Sequence, residues 1–431
     1  MQASVNEREL VLDMLLQITR DGEYSHIVIK NVLDKYQYLD KRERAFITRV
    51  VNGTLERMIE IDYIINLFSK VKVNKMKPLI RTILRSSVYQ MKYMDSVPDS
   101  AICNEAVKLA GKRGFVNLKG FVNGVLRNIS RNLDKINYPD EKDKVSYLSV
   151  KYSLPEWLVK QWLNVYDEET VKTIGSAFLE EKPLTVRIKK EDLVGILKKE
   201  GVTVGQVPEI PCALYLSGYD HLSALPSFCE GLYQVQDLSS MQVALWSEVK
   251  EGDQVLDVCA APGGKSIHIA ELLNGTGHVE ARDLTEYKVD LLRDNIERSG
   301  LTNIEAVCQD ATVYDPDKKK SADIVIADLP CSGLGVLGKK PDLRYKMNEK
   351  TEADLVELQR KILSVVKDYV KPDGKLLYST CTIHREENEG NVEWFLKEYP
   401  EFELVKDKQM IPGKDAGDGF YIAIIKRVNH E

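Results

Sequence analysis

The hydrophobic period of this 431-residue chain changes near residue 237, and that change constrains its folding more than any other feature. From Asp237 onward, apolar runs of strand length alternate with helical stretches. Strands are expected at Gln254–Val258, His278–Ala281, Ile304–Cys308, Ile324–Ala327 and Leu376–Ser379. Helices are expected between them at Tyr287–Ser299, Lys350–Val370 and Glu386–Glu398, and Gly419–Ile425 reads as a last strand. Such alternation implies an α/β, Rossmann-like parallel sheet closed by a C-terminal antiparallel strand, with ligands at the carboxyl ends of its strands. Residues 4–135 instead repeat apolar positions at three and four, as in Ile61, Ile64, Ile65 and Phe68, which predicts an all-α bundle. Between the two lies a mixed segment. Ser153 is expected to cap a helix with Pro155 in its first turn, Leu184–Ile188 alternates as a strand does, and Glu191–Glu200 is expected to be helical. The reading is a multidomain chain: a helical domain over 1–140, a small α+β module over 145–235, and the α/β domain over 236–431.

Charge is distributed unevenly. Residues 1–140 hold 23 Lys+Arg against 16 Asp+Glu, although the whole chain has a net charge of -6. Two stretches lack acids altogether: Lys70–Met94, with Lys70, Lys72, Lys75, Lys77, Arg81, Arg85 and Lys92, and Ala106–Leu133, with Lys108, Lys112, Arg113, Lys119, Arg127 and Arg131. Cation density without acids suits a phosphate backbone, and solvated helix faces are the plainer explanation. No apolar run reaches the roughly 18 residues of a membrane span, and the N-terminal residues lack the pattern of a signal peptide. Seven scattered cysteines without a C-x-x-C pair argue against a disulfide framework or zinc ribbon and for a reducing, cytoplasmic setting, with no metal expected.

The first α/β strand runs into Asp257-Val258-Cys259-Ala260-Ala261-Pro262-Gly263-Gly264-Lys265, a glycine-containing loop before a helix. Its spacing fits neither a dinucleotide fingerprint nor a P-loop. Asp283 and Asp310 follow the next two strands, placed to accept from ribose hydroxyls and an exocyclic amine, respectively. Any one of these acids could simply cap a helix, but acids at successive strand ends beside the loop favour a cofactor. Cys331 follows the fourth strand and Cys381 the fifth, so either is positioned to act as a nucleophile at the same edge.

These residues carry a resemblance. D-V-C-A-A-P-G-G-K, D-L-P-C-S-G at 328–333 and S-T-C-T at 379–382 resemble, in that order, the signature motifs of S-adenosylmethionine-dependent RNA (cytosine-5) methyltransferases. In the helical part, G-F-V-N-G-V-L-R at 120–127 resembles the RNA-binding domain of the NusB antitermination factor. The two together resemble the architecture of bacterial 16S ribosomal RNA cytosine-5 methyltransferases over nearly the full chain. The resemblance implies a monomeric enzyme that takes S-adenosylmethionine and methylates a cytosine of 16S ribosomal RNA, or of an assembling small subunit. DNA enzymes keep their nucleophile in a Pro-Cys pair, which would favour Cys331. The RNA family uses the Thr-Cys-Thr cysteine, which implies Cys381 as nucleophile and Cys331 as helper in proton removal or release. Asp328 would then contact the base and the cofactor, and Lys265 would touch either. The cofactor set implied is Cys259, Ala260, Ala261, Pro262, Gly263, Gly264, Lys265, Asp283, Asp310 and Asp328. Tyr233–Asp237 is expected to line the cofactor site. Gly338–Lys346 places four cations beside Tyr345 and is expected to meet phosphates and stacked bases. Cys103, Cys212, Cys229 and Cys308 are expected to be inert. The competing readings are an enzyme for another ribosomal site or transfer RNA, an amino-group methyltransferase, and an RNA-binding assembly factor with a vestigial catalytic domain.

Overall fold

The computed structural model describes residues 6–189 and 192–428. The chain forms two compact units, residues 1–180 with 337–346, and residues 181–336 with 347–431.

The first unit is helical. Helices Glu7–Thr19, Lys41–Glu56, Met58–Phe68, Pro78–Tyr93, Asp99–Lys112 and Lys119–Asn132 enclose an apolar core that includes Leu12, Leu15, Ile47, Ile61, Ile64, Leu84, Val88 and Leu126. Local chemistry sets their starts. Asp40 accepts from the Arg42 and Glu43 amides while Glu43 returns to the Asp40 amide, and Pro78 occupies the first turn of its helix. Gly53 lets two helices touch, since a Cβ there would stand 2.0 Å from the Tyr89 ring. Helices Lys144–Tyr152, Glu156–Leu163 and Glu168–Ala177 also fall in this unit, whereas the sequence reading sets a boundary at 140–145. Ser153 does not cap the helix that follows. It ends the preceding one in a left-handed conformation (φ 54), and its Oγ accepts from the Ile59 amide at 2.9 Å.

The second unit begins with β1 (Leu184–Ile188), β2 (Thr203–Gln206), β3 (Ala213–Ser217) and β4 (Tyr233–Val235), an antiparallel sheet in the order β2-β3-β1-β4. Its helix runs Leu193–Lys199, and the expected start at Glu191 lies outside the described residues. Then come β5 (Gln254–Asp257), β6 (His278–Asp283), β7 (Ile304–Cys308), β8 (Ala322–Asp328), β9 (Val370–Thr380), β10 (Phe402–Met410) and β11 (Phe420–Arg427), ordered β10-β11-β9-β8-β5-β6-β7. β5 to β9 are parallel, β11 runs antiparallel to β9, and β10 runs antiparallel to β11 at the edge. The chain reverses direction across the sheet between β5 and β8, where such sheets bind ligands. β8 is apolar from Ile324 to Ala327, all four buried, because both faces of a parallel sheet are covered. β10 is an extra edge strand that the pattern did not reveal: F-E-L-V-K-D-K-Q-M is mostly charged or polar and largely exposed, as an edge tolerates.

Residues Gly338–Lys346 require a correction. They belong to the helical unit, and much of their charge is used there. Arg344 is buried and donates to the Leu337 carbonyl, Tyr345 donates to the Leu55 carbonyl at 2.6 Å, and Asp342 accepts from Ser25. Lys346 donates to the Gly22 and Glu23 carbonyls and lies 3.9 Å from the Tyr24 ring centroid. Only Lys339 and Lys340 of its cations are exposed. A local charge count cannot see partners supplied by residues 22–55.

Candidate active site

The carboxyl ends of β5, β6, β7, β8 and β9 bring Asp257–Lys265, Asp283, Asp310, Asp328, Cys331 and Cys381 to one sheet edge. At the end of β5, Asp257 is buried and bonds the loop after it, accepting from the Cys259 amide and, at 2.6 Å, from Ser266 Oγ. Burial and the nearby Asp328 push its carboxyl up to about 7. Gly263 turns the chain at φ 104 into helix Gly264–Leu272, whose first turn has no side-chain cap. Asp283, ending β6, ties this loop down by accepting from the Ala261 amide at 3.0 Å, and it also receives the Leu284 amide and Lys288 Nζ. Asp310, beyond β7, accepts from the Thr312 amide and hydroxyl, both at 2.8 Å, and these bonds lower its pKa. Cys259 is held neutral by burial and neighbouring carboxylates, so it contributes backbone and volume rather than thiolate.

Nearer β8, Lys265 Nζ donates to Asp328 Oδ2 at 2.6 Å, Ser379 Oγ donates to Asp328 Oδ1 at 2.7 Å, and the Lys265 ammonium lies 5.3 Å from the Phe420 ring centroid. Burial disfavours the Lys265 charge, yet Asp328 outweighs it and the net pKa is raised. Cys331 Sγ and Cys381 Sγ are 3.3 Å apart, both half-buried, and no disulfide joins any of the seven cysteines. The bond to Cys381 and burial push the Cys331 thiol well up, and either sulfur can be the donor in the bond between them. Cys103 is buried as expected of a core thiol, and Cys229 is exposed.

The sheet edge fits S-adenosylmethionine. A helix N-terminus with no side-chain cap and two glycines offers amides at close approach, and Asp283 and Asp310 keep acceptor capacity for hydroxyl and amine donors. Leu284, directly after Asp283, is 59% exposed and leaves an apolar side chain open at this edge. Gln236 Nε2 is buried without a partner, and the Gln236 side chain lies 3.7 Å from where a Gly264 Cβ would stand.

Sequence reasoning missed the framework under the cysteines. Glu387, fully buried, accepts from the Ser332 amide and Gln359 Nε2, both at 2.9 Å, and from Ser332 Oγ at 2.5 Å. Ser332 Oγ also meets Thr382 Oγ1 at 2.8 Å. Ser332 and Thr382 lie in the quoted motifs next to the cysteines, whereas nothing in the sequence marks Glu387 or Gln359. Glu352, His384 and Glu387 place ligand-type atoms within 4.8 Å of one another, but Glu387 is engaged by hydrogen bonds.

A family model described as 16S rRNA methyltransferase RsmB/F matches residues 244–426, and one described as the NusB family matches residues 5–131. A probable ribosomal RNA small subunit methyltransferase B of Bacillus subtilis is 36% identical over 97% of this chain and 98% of its own length. The ribosomal RNA small subunit methyltransferase B of Klebsiella pneumoniae is 28% identical over 100% of both chains. Among solved structures, PH0851 aligns with a TM-score of 0.82 and 25% identity over 99% of this chain and 100% of that one. NSun6 from Pyrococcus horikoshii, solved with the S-adenosylmethionine analogue SFG, aligns with a TM-score of 0.57 and 24% identity over 64% of this chain and 98% of that one. With this sheet edge and full-length relatives in hand, the chain belongs to the RsmB/F family of 16S rRNA methyltransferases and is an S-adenosylmethionine-dependent RNA methyltransferase.

Proposed function

We propose that this enzyme methylates C5 of a cytosine in 16S ribosomal RNA, cytosine 967 in the numbering of that RNA, through a transient bond between Cys381 and C6 of the base. The observation that carries the reading is the pair of thiols 3.3 Å apart at the ends of adjacent parallel strands, at the same edge as the Lys265–Asp328 pair. C5 of cytosine is a poor nucleophile. A thiolate adding to C6 moves the C5=C6 electron pair onto C5, which can then take a methyl carbon. S-adenosylmethionine supplies that electrophilic methyl when bound. Loss of the C5 proton to a base restores the double bond, and Cys381 leaves as thiolate. Cys331 assists release by donating its S–H to that sulfur. Asp328, held by Lys265 and Ser379, faces the base as acceptor for protonated N3 and the 4-amino group. Asp283, Asp310 and residues 259–265 hold the methyl donor.

The same reading makes the protein a cytosolic monomer, with the basic helical domain of residues 1–140 and the module of 145–235 holding structured RNA and the domain of 236–431 performing transfer. The target base must be flipped out or already unpaired to reach the thiol. Bisulfite sequencing of total RNA from cells with and without the gene tests the substrate, and one lost 5-methylcytosine in 16S RNA is expected. Cys331→Ala should accumulate a denaturant-stable RNA–protein species that Cys381→Ala cannot form. The opposite pattern would reverse the two roles.

A further inference from the structure

We propose that Glu387 is a positioning residue of the methyl-transfer site, clamping the Cys331 loop to the Cys381 loop through Ser332 and Thr382. The inference rests on the reading of Cys381 as nucleophile and Cys331 as release group.

The two cysteines sit on separate loops, one after β8 and one after β9, and strand pairing ends before either is reached: the last β8–β9 partners are Asp328 and Ser379. Beyond that point side-chain bonds and a main-chain tie join the two loops. Ser332 follows Cys331 directly, and Thr382 follows Cys381 directly. Their hydroxyls meet at 2.8 Å, one step along the chain from the sulfurs that meet at 3.3 Å. Glu387 takes both polar groups of Ser332, its amide on one carboxylate oxygen and its hydroxyl on the other. With its hydroxyl proton given to Glu387, Ser332 Oγ is left to accept from Thr382. Thus a single carboxylate fixes the amide, the hydroxyl and the direction of the bridge to the second loop.

The carboxylate is itself held. Gln359 Nε2 donates to Glu387 Oε2 and, at 2.8 Å, to the Pro330 carbonyl immediately before Cys331. His384 Nδ1 lies 3.3 Å from Glu387 Oε1, and Tyr378 OH donates to the Glu387 carbonyl. A second tie crosses the same loops, the Gly335 amide to the Cys381 carbonyl at 3.1 Å, and a Cβ at Gly335 would stand 2.8 Å from that carbonyl. A buried carboxylate with charge-assisted bonds on both oxygens is rigid, and removing it takes an acceptor from Ser332, Gln359 and His384 at once. The Glu387 charge also favours the protonated form of Cys331, the form that can donate to a departing thiolate.

A clamp predicts a specific failure. If Cys331 is released from its place beside Cys381, adduct formation continues while breakdown slows, so the protein should behave like Cys331→Ala with both thiols present. A shift of about 1 Å at a reacting group costs on the order of 100-fold in rate. The experiment uses the full-length enzyme with a 16S RNA fragment and S-adenosylmethionine, comparing wild type, Glu387→Ala, Glu387→Gln, Glu387→Ala/Cys381→Ala, Cys331→Ala and Cys381→Ala. Denaturing gels read the adduct, single-turnover kinetics read the rate, and titration reads cofactor affinity. Glu387→Ala is expected to lower turnover about 100-fold, leave cofactor affinity within about two-fold, and accumulate an adduct that vanishes in the double variant. Glu387→Gln retains an acceptor for the Ser332 amide and should recover most of the turnover. Loss of activity without adduct, or with cofactor affinity falling in parallel, would overturn the clamp. Failure of Cys331→Ala itself to trap RNA would instead overturn the underlying cysteine roles. Should Glu387→Ala fold poorly, Ser332→Ala and Thr382→Val open the same bridge without unpairing a charge, and either accumulating adduct supports the clamp while turnover at the wild-type rate by both sinks it.

Discussion

The two acid-free basic stretches of the helical unit look alike in sequence, and each divides its charge between ion pairs to another helix and solvent. In Lys70–Met94, Arg85 forms two bonds to Asp62 at 2.7 and 2.6 Å, and Lys92 reaches the buried Glu60 at 2.7 Å. Both acids come from the preceding helix, Met58–Phe68. In Ala106–Leu133, Lys108, Lys119 and Arg127 line an open groove of about 500 Å³ with Asn104, Val107, Gly120 and Asn123. Both stretches spend part of their charge on holding helices together, the second through Lys112 to Glu9 and Arg113 to Asp13, but only in the second do three cations converge on this groove. Residues 338–346 repeat the lesson, with Lys346 on the Tyr24 ring and backbone carbonyls. A run of cations in sequence is a phosphate site only where no acid or carbonyl arrives from elsewhere.

The largest effect that would break this comparison lies at Glu60, whose side chain is 4% exposed and also accepts from Tyr93 and Tyr138. Glu60→Ala is expected to cost about 3 kcal/mol in denaturant unfolding because it leaves the Lys92 ammonium without its counter-charge. A loss below about 1 kcal/mol would mean the first stretch is not structural. Lys119→Ala/Arg127→Ala should leave stability within about 0.5 kcal/mol. RNA affinity should fall about ten-fold, and the salt dependence of log K should flatten by about 0.9 for each phosphate no longer neutralised. An unchanged salt slope would remove the groove from RNA binding. Lys346→Ala should cost about 1 kcal/mol of stability with no change in that slope. The smallest effect is one of pH. Burial pulls the His384 pKa down, but its bond to Glu387 and the charges of Glu352, Glu387 and Glu386 outweigh this, so the folded value is raised. Its contribution to stability should be complete below the unfolded value of about 6.5 and fade as pH rises through the folded value. Unfolding free energies of wild type and His384→Gln across pH 5 to 9 should converge at the alkaline end.

The candidate site's edge was legible because each of its residues sits at or just beyond a strand end, and strand ends follow from period and glycine placement. Cys259 to Lys265, Asp283, Asp310, Asp328, Cys331 and Cys381 reach one edge as expected. The partners that restrain them were not legible. Phe420 comes from β11 to lie beside Lys265, and Glu387 comes from the segment beyond β9 to hold Ser332, 55 positions earlier in the chain. β10 escaped notice because an exposed edge strand carries no alternating apolar face.

By itself, the order of apolar and polar residues determined the helical bundle, the parallel sheet and the edge where its loops gather, since periodicity fixes which faces must leave water. Only tertiary structure decided which cations remain open, which loop joins which unit, and how far apart two sulfurs stand. Those outcomes depend on side chains distant in sequence meeting within hydrogen-bond reach, where a difference of an ångström separates a bond from none.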